Sequence, residues 1–359
     1  MAWAAAERAE RWPEEGLERL GLCPVCGSDR RAALYDGLRD RVFECAPGEW
    51  TMHACAACGC GYLDPRPSRD TIGLAYSRYF THAVPQRPDV SQLGPMLRWR
   101  RALANGYRNR RYGTRERPAS RLGYPLALLL PTQRALLDSE LRHLPCRGRG
   151  SRVLDVGFGD GLFLQWAAAA GWEAVGLDTD PVAVDLARRR GLQVRAGRVE
   201  DLTDERESFD VVTCSHVIEH VHDPRQLLAS IYGLLRPGGL LWLDTPNIGS
   251  LGHRRFGRHW LGLDPPRHLV VFSAGALLAL LESTGFVVLR RLSRFEVCKR
   301  FFAASARTAA GVENPARERP VPLAVRAAAY WASWRVRFDP RLSECITVLA
   351  VKPAESSRV

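Results

Sequence analysis

From residue 151 onward, short runs of hydrophobic residues alternate with longer stretches in which hydrophobic positions recur every three or four residues. Short apolar runs between turn residues are typical of buried strands, and the longer spacing is typical of helices with one buried face. The pattern predicts strands over 152–156, 173–178, 193–196, 209–214, 240–244 and 287–292. Because strands alternate with helices, we expect an α/β fold with a mostly parallel, doubly wound sheet.

Several helix boundaries are marked by local signals. Asp180-Pro181 places an N-cap acid before a proline at the first helical position, and Asp223-Pro224 repeats this arrangement. Ser273 is the expected N-cap of a later helix, which Gly285 ends. The helix that begins at Asp223 is predicted to end at Pro237-Gly238-Gly239. In a sheet of this kind, a ligand is expected at the carboxyl ends of the strands.

The pattern divides the chain into three parts. Residues 1–85 form a small module with paired cysteines, 86–150 are Arg-rich and interrupted by Pro and Gly, and 151–359 form the α/β domain. Within the first part we expect a turn at 63–67 and a short helix at 72–80. We expect the middle part to be a helical linker or cap.

The α/β domain contains an insertion at about 295–342, before its last strand. The insertion combines Phe301, Phe302, Trp331 and Trp334 with many arginines. We expect an amphipathic pair of helices that packs on the domain. A lid over an anionic acceptor and a surface that touches lipid headgroups are the alternative roles.

The paired cysteines have the spacing of a zinc site. The first part contains Cys23-Pro-Val-Cys26-Gly and Cys55-Ala-Ala-Cys58-Gly. A Cys-x-x-Cys turn directs two thiolates to one centre, and two such knuckles complete the tetrahedral set that suits zinc. Four thiolates leave no open coordination position, so the metal is expected to be structural. His53, Cys60 and the more distant Cys45 are alternative ligands.

The first predicted strand of the α/β domain leads into a glycine-rich turn. The turn has the sequence Asp155-Val-Gly157-Phe-Gly159-Asp-Gly161 and is followed directly by a helix. Glycines allow close approach of a ligand, and the helix N-terminus offers unpaired N–H groups. The spacing G-x-G-x-G differs from the dinucleotide pattern G-x-G-x-x-G. The acid that precedes the glycines favours a cationic ligand, and Asp178, at the end of the second strand, is placed to bind ribose hydroxyls.

Together, six ordered motifs resemble class I S-adenosylmethionine-dependent methyltransferases, a group that includes ubiquinone-type and sugar or polysaccharide-associated enzymes. The motifs are Val153–Gly161, Gly176–Asp180, Phe209–Val212, Val217–Val221 with Asp223-Pro224, Leu235–Gly239, and Thr245–Asn247. The cysteine knuckles with the following Gly61–Pro67 resemble the zinc-binding segment that precedes the catalytic domain in some sugar C-methyltransferases.

This resemblance implies a Rossmann-like seven-stranded fold with a small zinc-ribbon-like module. Its last strand is antiparallel, and residues 344–352 fit it. The resemblance also implies that Asp155 and the three glycines hold the methionyl end of S-adenosylmethionine and that Asp178 holds the ribose. Glu200 or backbone groups near Val199 are the candidates for the adenine, because Arg198 stands where relatives often carry an acid. Cys214 completes the candidate cofactor residues.

Two histidines are candidates for a general base, which is required if the acceptor must lose a proton. His268, in Pro265-Pro-Arg-His-Leu269, is preferred because it follows the long loop after the fifth strand. His220 is the second candidate, and it more often organises its loop than catalyses. His216 and Glu219 are further candidates. Glu219 and His220 are alternatively the ligands of a divalent cation.

Composition adds few constraints on function. The net charge of +12 arises almost wholly from arginine, because Lys299 and Lys352 are the only lysines. A general arginine bias is weak support for an anionic substrate and weaker support for nucleic acid. The sequence has no apolar run of about 20 residues and no signal-type core at its start, so we expect a cytoplasmic protein without a transmembrane segment.

These observations favour a methyltransferase that acts on a small molecule, sugar or polysaccharide precursor, by O- or C-methylation. An RNA methyltransferase with a zinc-knuckle module and a non-catalytic nucleotide-binding module are the alternatives. The intact turn at Asp155–Gly161 argues against a non-catalytic module. Thr245-Pro-Asn247 lacks the Asn/Asp-Pro-Pro-aromatic loop that many enzymes use to hold a flipped base, which argues against nucleic acid as the partner.

Overall fold

The computed structural model of the chain describes residues 11–76, 93–146, 150–312 and 319–354. These residues fall into two compact units. The first unit contains 11–76, 216–229, 243–312 and 319–350, and the second contains the remaining described residues. Of the short helix expected at 72–80, the structure has a 3₁₀ helix over Ile72–Tyr76, and residues 77–80 lie outside the described part.

Thirteen strands are present in the described part of the chain. In chain order they are β1 Leu17–Glu18, β2 Arg31–Leu38, β3 Trp50–Cys55, β4 Gly61–Leu63, β5 Arg66–Pro67, β6 Arg152–Val156, β7 Glu173–Asp178, β8 Gln193–Ala196, β9 Phe209–Ser215, β10 Leu235–Pro246, β11 Val270–Val271, β12 Val287–Leu292 and β13 Cys345–Val351. The predicted strands at 152–156, 173–178, 193–196 and 287–292 are confirmed to the residue.

Ten α-helices accompany these strands in the same described residues. They are α1 Pro95–Tyr112, α2 Gly123–Leu129, α3 Pro131–Glu140, α4 Leu162–Ala169, α5 Pro181–Arg189, α6 Pro224–Leu234, α7 Leu251–Phe256, α8 Ala274–Ser283, α9 Cys298–Ala309 and α10 Leu323–Phe338. The Asp180 side chain accepts the N–H of Val182, and the Ser273 hydroxyl accepts the N–H of Ala276, so these two of the predicted N-caps are confirmed.

Seven strands form one sheet in the order β12-β13-β10-β9-β6-β7-β8. β6 is parallel to both β7 and β9, and β7 is parallel to β8. β13 is antiparallel to β10, because the N–H of Gly238 bonds to the carbonyl of Lys352 while the N–H of Asn247 bonds to that of Glu344. The predicted α/β fold and its antiparallel last strand are thus confirmed.

One predicted boundary in this sheet is wrong. Pro237-Gly238-Gly239 was expected to end a helix, but helix α6 ends at Leu234 and β10 begins at Leu235. The physical reason is pairing with the last strand. Gly238 donates to the Lys352 carbonyl at 2.8 Å, and Lys352 donates to the Gly239 carbonyl at 2.9 Å. The glycine pair is therefore part of the sheet.

The first unit contains a four-stranded antiparallel sheet in the order β11-β4-β3-β2. Residues of the N-terminal segment and of the later chain share its core, since Trp50, Met52 and Leu63 are buried with Trp260 and Val271. The turn expected at 63–67 is corrected here, because β5 (Arg66–Pro67) forms a short antiparallel pair with β1. The paired residues are about 50 positions apart, so the local sequence could not predict this pairing.

Helices α9 and α10 also belong to the first unit. They pack together through Cys298 and Phe302 on one side and Ala329, Ala332 and Val336 on the other. The expected pair of helices in the insertion is confirmed. Among the helices that the structure describes, none is both long and apolar enough to cross a membrane.

In the second unit, the Arg-rich segment folds into helices α1, α2 and α3. Tyr107 and Tyr112 of α1 are buried with Leu141 and Trp166, and both tyrosine hydroxyls donate to Asp138 at 2.6 Å. The guanidinium of an arginine contributes as well, because that of Arg108 lies 4.2 Å from the centre of the Trp166 ring. Aromatic rings and one shared carboxylate therefore hold these helices together.

Candidate functional site

The glycine-rich turn of the second unit joins β6 to α4. Gly157, Gly159 and Gly161 all adopt a positive φ, at 66°, 57° and 71°. A side chain with a Cβ adopts this left-handed conformation at a steric cost, so glycine suits all three positions. The N–H of Gly157 bonds to the Leu177 carbonyl at 2.7 Å, which continues the parallel pairing into the turn. The turn is consequently a fixed backbone shape at the carboxyl end of β6.

Asp178 lies at the carboxyl end of the neighbouring strand β7. One carboxylate oxygen accepts the N–H of Gly159 at 3.1 Å, and the other accepts the N–H of Asp180 at 3.0 Å. Burial raises the pKa of this carboxyl, and the two N–H donors oppose the rise. A carboxylate oxygen has more than one lone pair, so each oxygen can accept a further hydrogen bond from a hydroxyl.

Asp155 is fully buried at the end of β6. One of its oxygens forms an ion pair with Arg142 and accepts the Thr213 hydroxyl at 2.9 Å. The other oxygen, Oδ2, has no hydrogen-bond partner among the residues that the structure describes. Burial raises the pKa of Asp155, while the Arg142 charge lowers it. A buried carboxylate oxygen without a donor fits a cationic ligand.

Sequence reasoning missed Arg142 as part of this arrangement. Its guanidinium donates to the Thr213 hydroxyl at 2.8 Å and lies 4.1 Å from the centre of the Phe163 ring. Arg142 also has a positive φ of 46°, which is uncommon for a residue other than glycine. In a segment with many arginines, nothing in the sequence distinguished this one.

The remaining cofactor candidates lie in different surroundings. Cys214 is fully buried on β9, where it pairs in register with Val156. Glu200 is exposed in the 3₁₀ turn Val199–Asp201. Its neighbour Asp201 accepts the backbone N–H of Arg198 at 2.8 Å. Both acids of this turn are exposed, and Asp201 is the one bonded to the backbone of Arg198.

A cluster of histidines surrounds Glu219 in the first unit. Glu219 is fully buried, with one oxygen 3.1 Å from His216 Nδ1 and the other accepting the Thr245 hydroxyl at 2.8 Å. Burial alone would raise the pKa of Glu219, but the hydrogen bond and charge of His216 hold it at about 2. Glu219 is therefore a buried anion that is stabilised by its neighbours.

The two predicted bases, His220 and His268, contact each other in this cluster. Their ring centres are 4.7 Å apart in an edge-to-face arrangement. Nδ1 of His220 is 2.9 Å from the Arg267 carbonyl and 2.9 Å from the Tyr76 hydroxyl. Burial and the neighbouring His268 lower the pKa of His220 to about 4. His220 is accordingly neutral at physiological pH.

His268 is held in one tautomer. Its Nδ1 lies 2.9 Å from the Gly262 carbonyl, which can only accept, so Nδ1 carries the proton. In the neutral ring the lone pair is therefore on Nε2, which lies 4.0 Å from Glu219 Oε1. Glu219, His220 and His268 each present one ligand atom within 4.8 Å of the others, so the arrangement is also compatible with a cation.

The loop before His268 is fixed by a buried ion pair. Arg267 is fully buried and donates to Asp40 at 2.6 and 2.9 Å and to Asp264 at 2.6 and 3.0 Å. Burial would raise the pKa of Asp40, but the hydrogen bond and charge of Arg267 lower it to about 2. The bidentate pair anchors the residue next to His268 to the loop that follows β2.

His216, a minor candidate for the base in the sequence, lies between two acids and is exposed to solvent. It follows β9 directly, has a positive φ of 54°, and lies between Glu219 and Asp244, with Nε2 3.4 Å from the Asp244 carboxylate. Partial burial opposes protonation, but these two acids raise the pKa of His216. Unlike His268, its side chain is 42% exposed, so solvent reaches this ring.

The four knuckle cysteines converge in the first unit. The Sγ atoms of Cys23 and Cys58 are 3.7 Å apart, those of Cys26 and Cys55 are 3.5 Å apart, and all four lie within 4.8 Å of one another. A tetrahedral zinc with Zn–S bonds of about 2.3 Å separates its sulfurs by about 3.8 Å. A disulfide requires about 2.05 Å, so the spacing fits a metal and excludes disulfides.

The alternative ligands lie outside this group. His53 Nε2 is 3.2 Å from the Asp64 carbonyl, and the Cys45 thiol contacts Asp40 and the Ala75 carbonyl. Cys60 accepts the N–H of Ser273 at 3.4 Å. Hydrogen bonding with Cys58 and burial raise the pKa of Cys23.

Comparison with known proteins identifies the class to which this arrangement belongs. Residues 131–291 match a family model described as a methyltransferase domain. Within these residues, the glycine turn and Asp178 lie at the ends of two neighbouring parallel strands. Residues 131–291 therefore carry a methyltransferase domain.

Individual relatives match a smaller part of the chain. A ubiquinone biosynthesis O-methyltransferase from Xanthomonas oryzae is 43% identical over 105 residues, which are 27% of this chain and 44% of the relative. The chain thus spans less than half the length of this curated relative.

Solved structures resemble the chain more distantly. Phosphoethanolamine N-methyltransferase 2 from Haemonchus contortus, in complex with S-adenosylmethionine, is 18% identical, with a TM-score of 0.42 over 61% of this chain and 52% of that one. The [4+2]-cyclase SpnF is 21% identical, with a TM-score of 0.42 over 61% of this chain and 82% of that one.

Proposed function

We propose that this protein transfers a methyl group from S-adenosylmethionine to a small-molecule, sugar or polysaccharide-precursor acceptor. The observation that carries the proposal is the pairing of the Asp155–Gly161 turn with Asp178, whose carboxylate bonds to the turn itself. The name of the Xanthomonas relatives supports O-methylation of a small molecule. The cytoplasm is the proposed location.

The cofactor would be held by residues of the second unit. The unpaired Oδ2 of Asp155 suits the ammonium of the methionyl part, with Gly157, Gly159 and Gly161 allowing close approach to the backbone. Asp178 would accept the ribose hydroxyls, as both of its oxygens are fixed by N–H donors. Glu200, exposed near the end of β8, is the candidate for the adenine edge, and Cys214 would line the pocket.

When bound, S-adenosylmethionine would supply an electrophilic methyl group on a sulfonium, with S-adenosylhomocysteine as the leaving group of an in-line attack by the acceptor. The protein must then align the acceptor, exclude water and, for a hydroxyl or activated carbon, take up a proton. We assign the proton acceptor to His268, with His220 second. The Nε2 lone pair of His268 is fixed by the Nδ1 bond to Gly262, and Glu219 would stabilise the charged ring.

Two measurements test this proposal in sequence. Isothermal titration with S-adenosylmethionine and S-adenosylhomocysteine is expected to show one binding site on the full chain, and absence of binding would refute the cofactor assignment. Labelled cofactor is then incubated with pools of sugar nucleotides, glycans, small phenolics and RNA. Label in the glycan, sugar or phenolic pools supports the proposal, whereas label in RNA alone would establish the RNA alternative.

We further propose that Cys23, Cys26, Cys55 and Cys58 bind one structural zinc ion. The sulfur separations of 3.5 and 3.7 Å support it, as does the absence of other side chains from the group within the described residues. Four thiolates fill a tetrahedral site, so the ion would stabilise the fold and take no part in methyl transfer.

A further inference from the structure

Helix α10 carries two apolar faces on opposite sides. Ala329, Ala332 and Val336 are buried against α9. At about 100° per residue, these three side chains lie about half a turn around the helix from a second apolar row. Packing on α9 therefore accounts for one face and leaves the other to be explained.

The second row is exposed to solvent. Its members are Leu323, Tyr330, Trp331, Trp334 and Phe338, which are 76, 56, 52, 61 and 70% exposed. At 3.6 residues per turn they fall within roughly one third of the helix circumference. We call this set the aromatic row. Single exposed apolar residues are ordinary, but a continuous row of four aromatic rings marks an interaction surface.

Arginines border the aromatic row on both edges. By helical position, Arg335 lies beside Trp331 on one edge, and Arg326 and Arg337 lie on the other. The Arg335 guanidinium is 5.1 Å from the centre of the Trp331 ring, and Lys299 of α9 places its Nζ 3.9 Å from that of Tyr330. The sequence of α10 contains no Asp or Glu. The whole face is therefore apolar and cationic.

We propose that the aromatic row of α10 docks on a membrane surface that contains anionic phospholipids. Tryptophan and tyrosine favour the level of the headgroups, where one end of the ring is apolar and the other is wet. Arginines on both edges can reach lipid phosphates while their stems cover apolar surface. A helix of 16 residues with this pattern lies in the plane of the interface.

The charge pattern favours a lipid surface over a second copy of the chain. A twofold pair formed through this face would bring equivalent patches together. Arg326, Arg335 and Arg337 would then meet arginines of the partner helix, and α10 offers no carboxylate to neutralise them. An anionic lipid surface supplies the missing negative charge.

Vesicle sedimentation with the full chain tests the proposal without depending on methyl transfer. The protein is mixed with phosphatidylglycerol-containing vesicles and with pure phosphatidylcholine vesicles. Each arginine near an anionic surface contributes about a fivefold change in partitioning, so binding is expected to be more than about tenfold tighter to the anionic vesicles. Quenching of tryptophan emission by lipids brominated near the headgroup gives a second readout.

Variants identify the surface that is responsible. Trp331→Ser combined with Trp334→Ser is expected to lower binding at least about tenfold. Trp99→Ser is the matched control, since Trp99 is 56% exposed on α1. Arg335→Glu with Arg337→Glu should also lower binding, whereas Arg254→Glu with Arg255→Glu on the exposed side of α7 should not. Thermal melting establishes that all variants fold.

Three results would overturn the proposal. One is no preference of the wild-type chain for anionic vesicles. Another is equal binding by the Trp331/Trp334 variant and the Trp99 control. The third is a dimer of the wild-type chain that the Trp331/Trp334 variant converts to a monomer without any vesicle binding, which would assign the aromatic row to self-association.

Discussion

The carboxylate of Asp178 accepts the backbone N–H of Gly159 at 3.1 Å, so the end of β7 is bonded to the turn that follows β6. One side chain thereby connects the two strand ends that would receive the ribose and the methionyl part of the cofactor. The hydrogen bond fixes the Asp178 carboxylate and the backbone of the turn at the same time.

Replacing Asp178 by alanine is expected to weaken S-adenosylmethionine binding by about 10 to 100-fold. Hydrogen bonds to a charged group contribute about 1.5 to 3 kcal/mol each, and part of this is lost to water in an open site. Isothermal titration measures the change. Asp185→Ala, an exposed acid on α5 that pairs with Arg189, serves as the control and should bind the cofactor normally. Equal affinities in the two variants would argue against a ribose role.

Removal of the knuckle thiolates is expected to remove zinc. The wild-type chain should contain about one zinc per molecule, and Cys55→Ser should contain less and unfold at lower temperature. Atomic emission and thermal melting provide the measurements. Cys146→Ser removes an exposed cysteine outside the group and should retain the metal. A fully metal-free wild-type chain of unchanged stability after chelation would contradict a structural site.

His268→Ala is expected to lower kcat by about 10² to 10⁴-fold with the true acceptor, the range typical of a general base. The cofactor dissociation constant should not change. His220→Ala provides the comparison, because the pKa of His220 is held at about 4 and its Nδ1 bonds to the Arg267 carbonyl and Tyr76. If His268→Ala retains full turnover and His216→Ala loses it, the base belongs to the exposed ring beside Asp244.

The Asp40–Arg267 pair predicts a specific acid dependence of stability. The pKa of Asp40 is about 2 in the folded chain and 3.8 in its ordinary state. Because the folded value is lower, the pair stabilises the fold above the ordinary value and loses this contribution as the pH falls towards 2. The size is roughly 2 kcal/mol.

Urea unfolding of wild-type and Asp40→Asn proteins over the acid range tests this dependence. The difference in unfolding free energy between the two proteins should be largest at neutral pH and shrink as the pH falls, since contributions from other acids cancel in the difference. A difference that stays constant down to pH of about 2 would show that Asp40 does not titrate as the geometry requires.

The strands of the α/β region were predictable because their signals are local. β6, β7, β8 and β12 are short apolar runs between turn residues, and the N-caps at Asp180 and Ser273 carry their own side-chain acceptors. Pro237-Gly238-Gly239 was predicted wrongly because it is held in β10 by bonds to the end of β13, a partner more than 100 residues away.

The candidate site was predictable only where chemistry and spacing coincide. The glycines of the turn and the four cysteines recur at fixed sequence spacings, and these spacings are typical of a few kinds of site. Arg142 has no such signal, because its role arises from contact with Asp155 and Thr213 on separate strands. The buried position of His268 likewise follows from tertiary contacts with Gly262 and Glu219, which no local pattern encodes.

Ser273 links the cysteine knuckles to a distant part of the chain, because its hydroxyl donates to the Cys58 carbonyl at 2.6 Å across 215 positions of sequence. The short strand β11, just before Ser273, pairs with β4 and completes the four-stranded sheet that contains β3 and β2. On the ribosome, the knuckle segment therefore emerges long before its sheet can be completed. Contacts this remote slow folding, so early capture of a metal ion would protect the thiols during the interval in which the rest of the chain is synthesised.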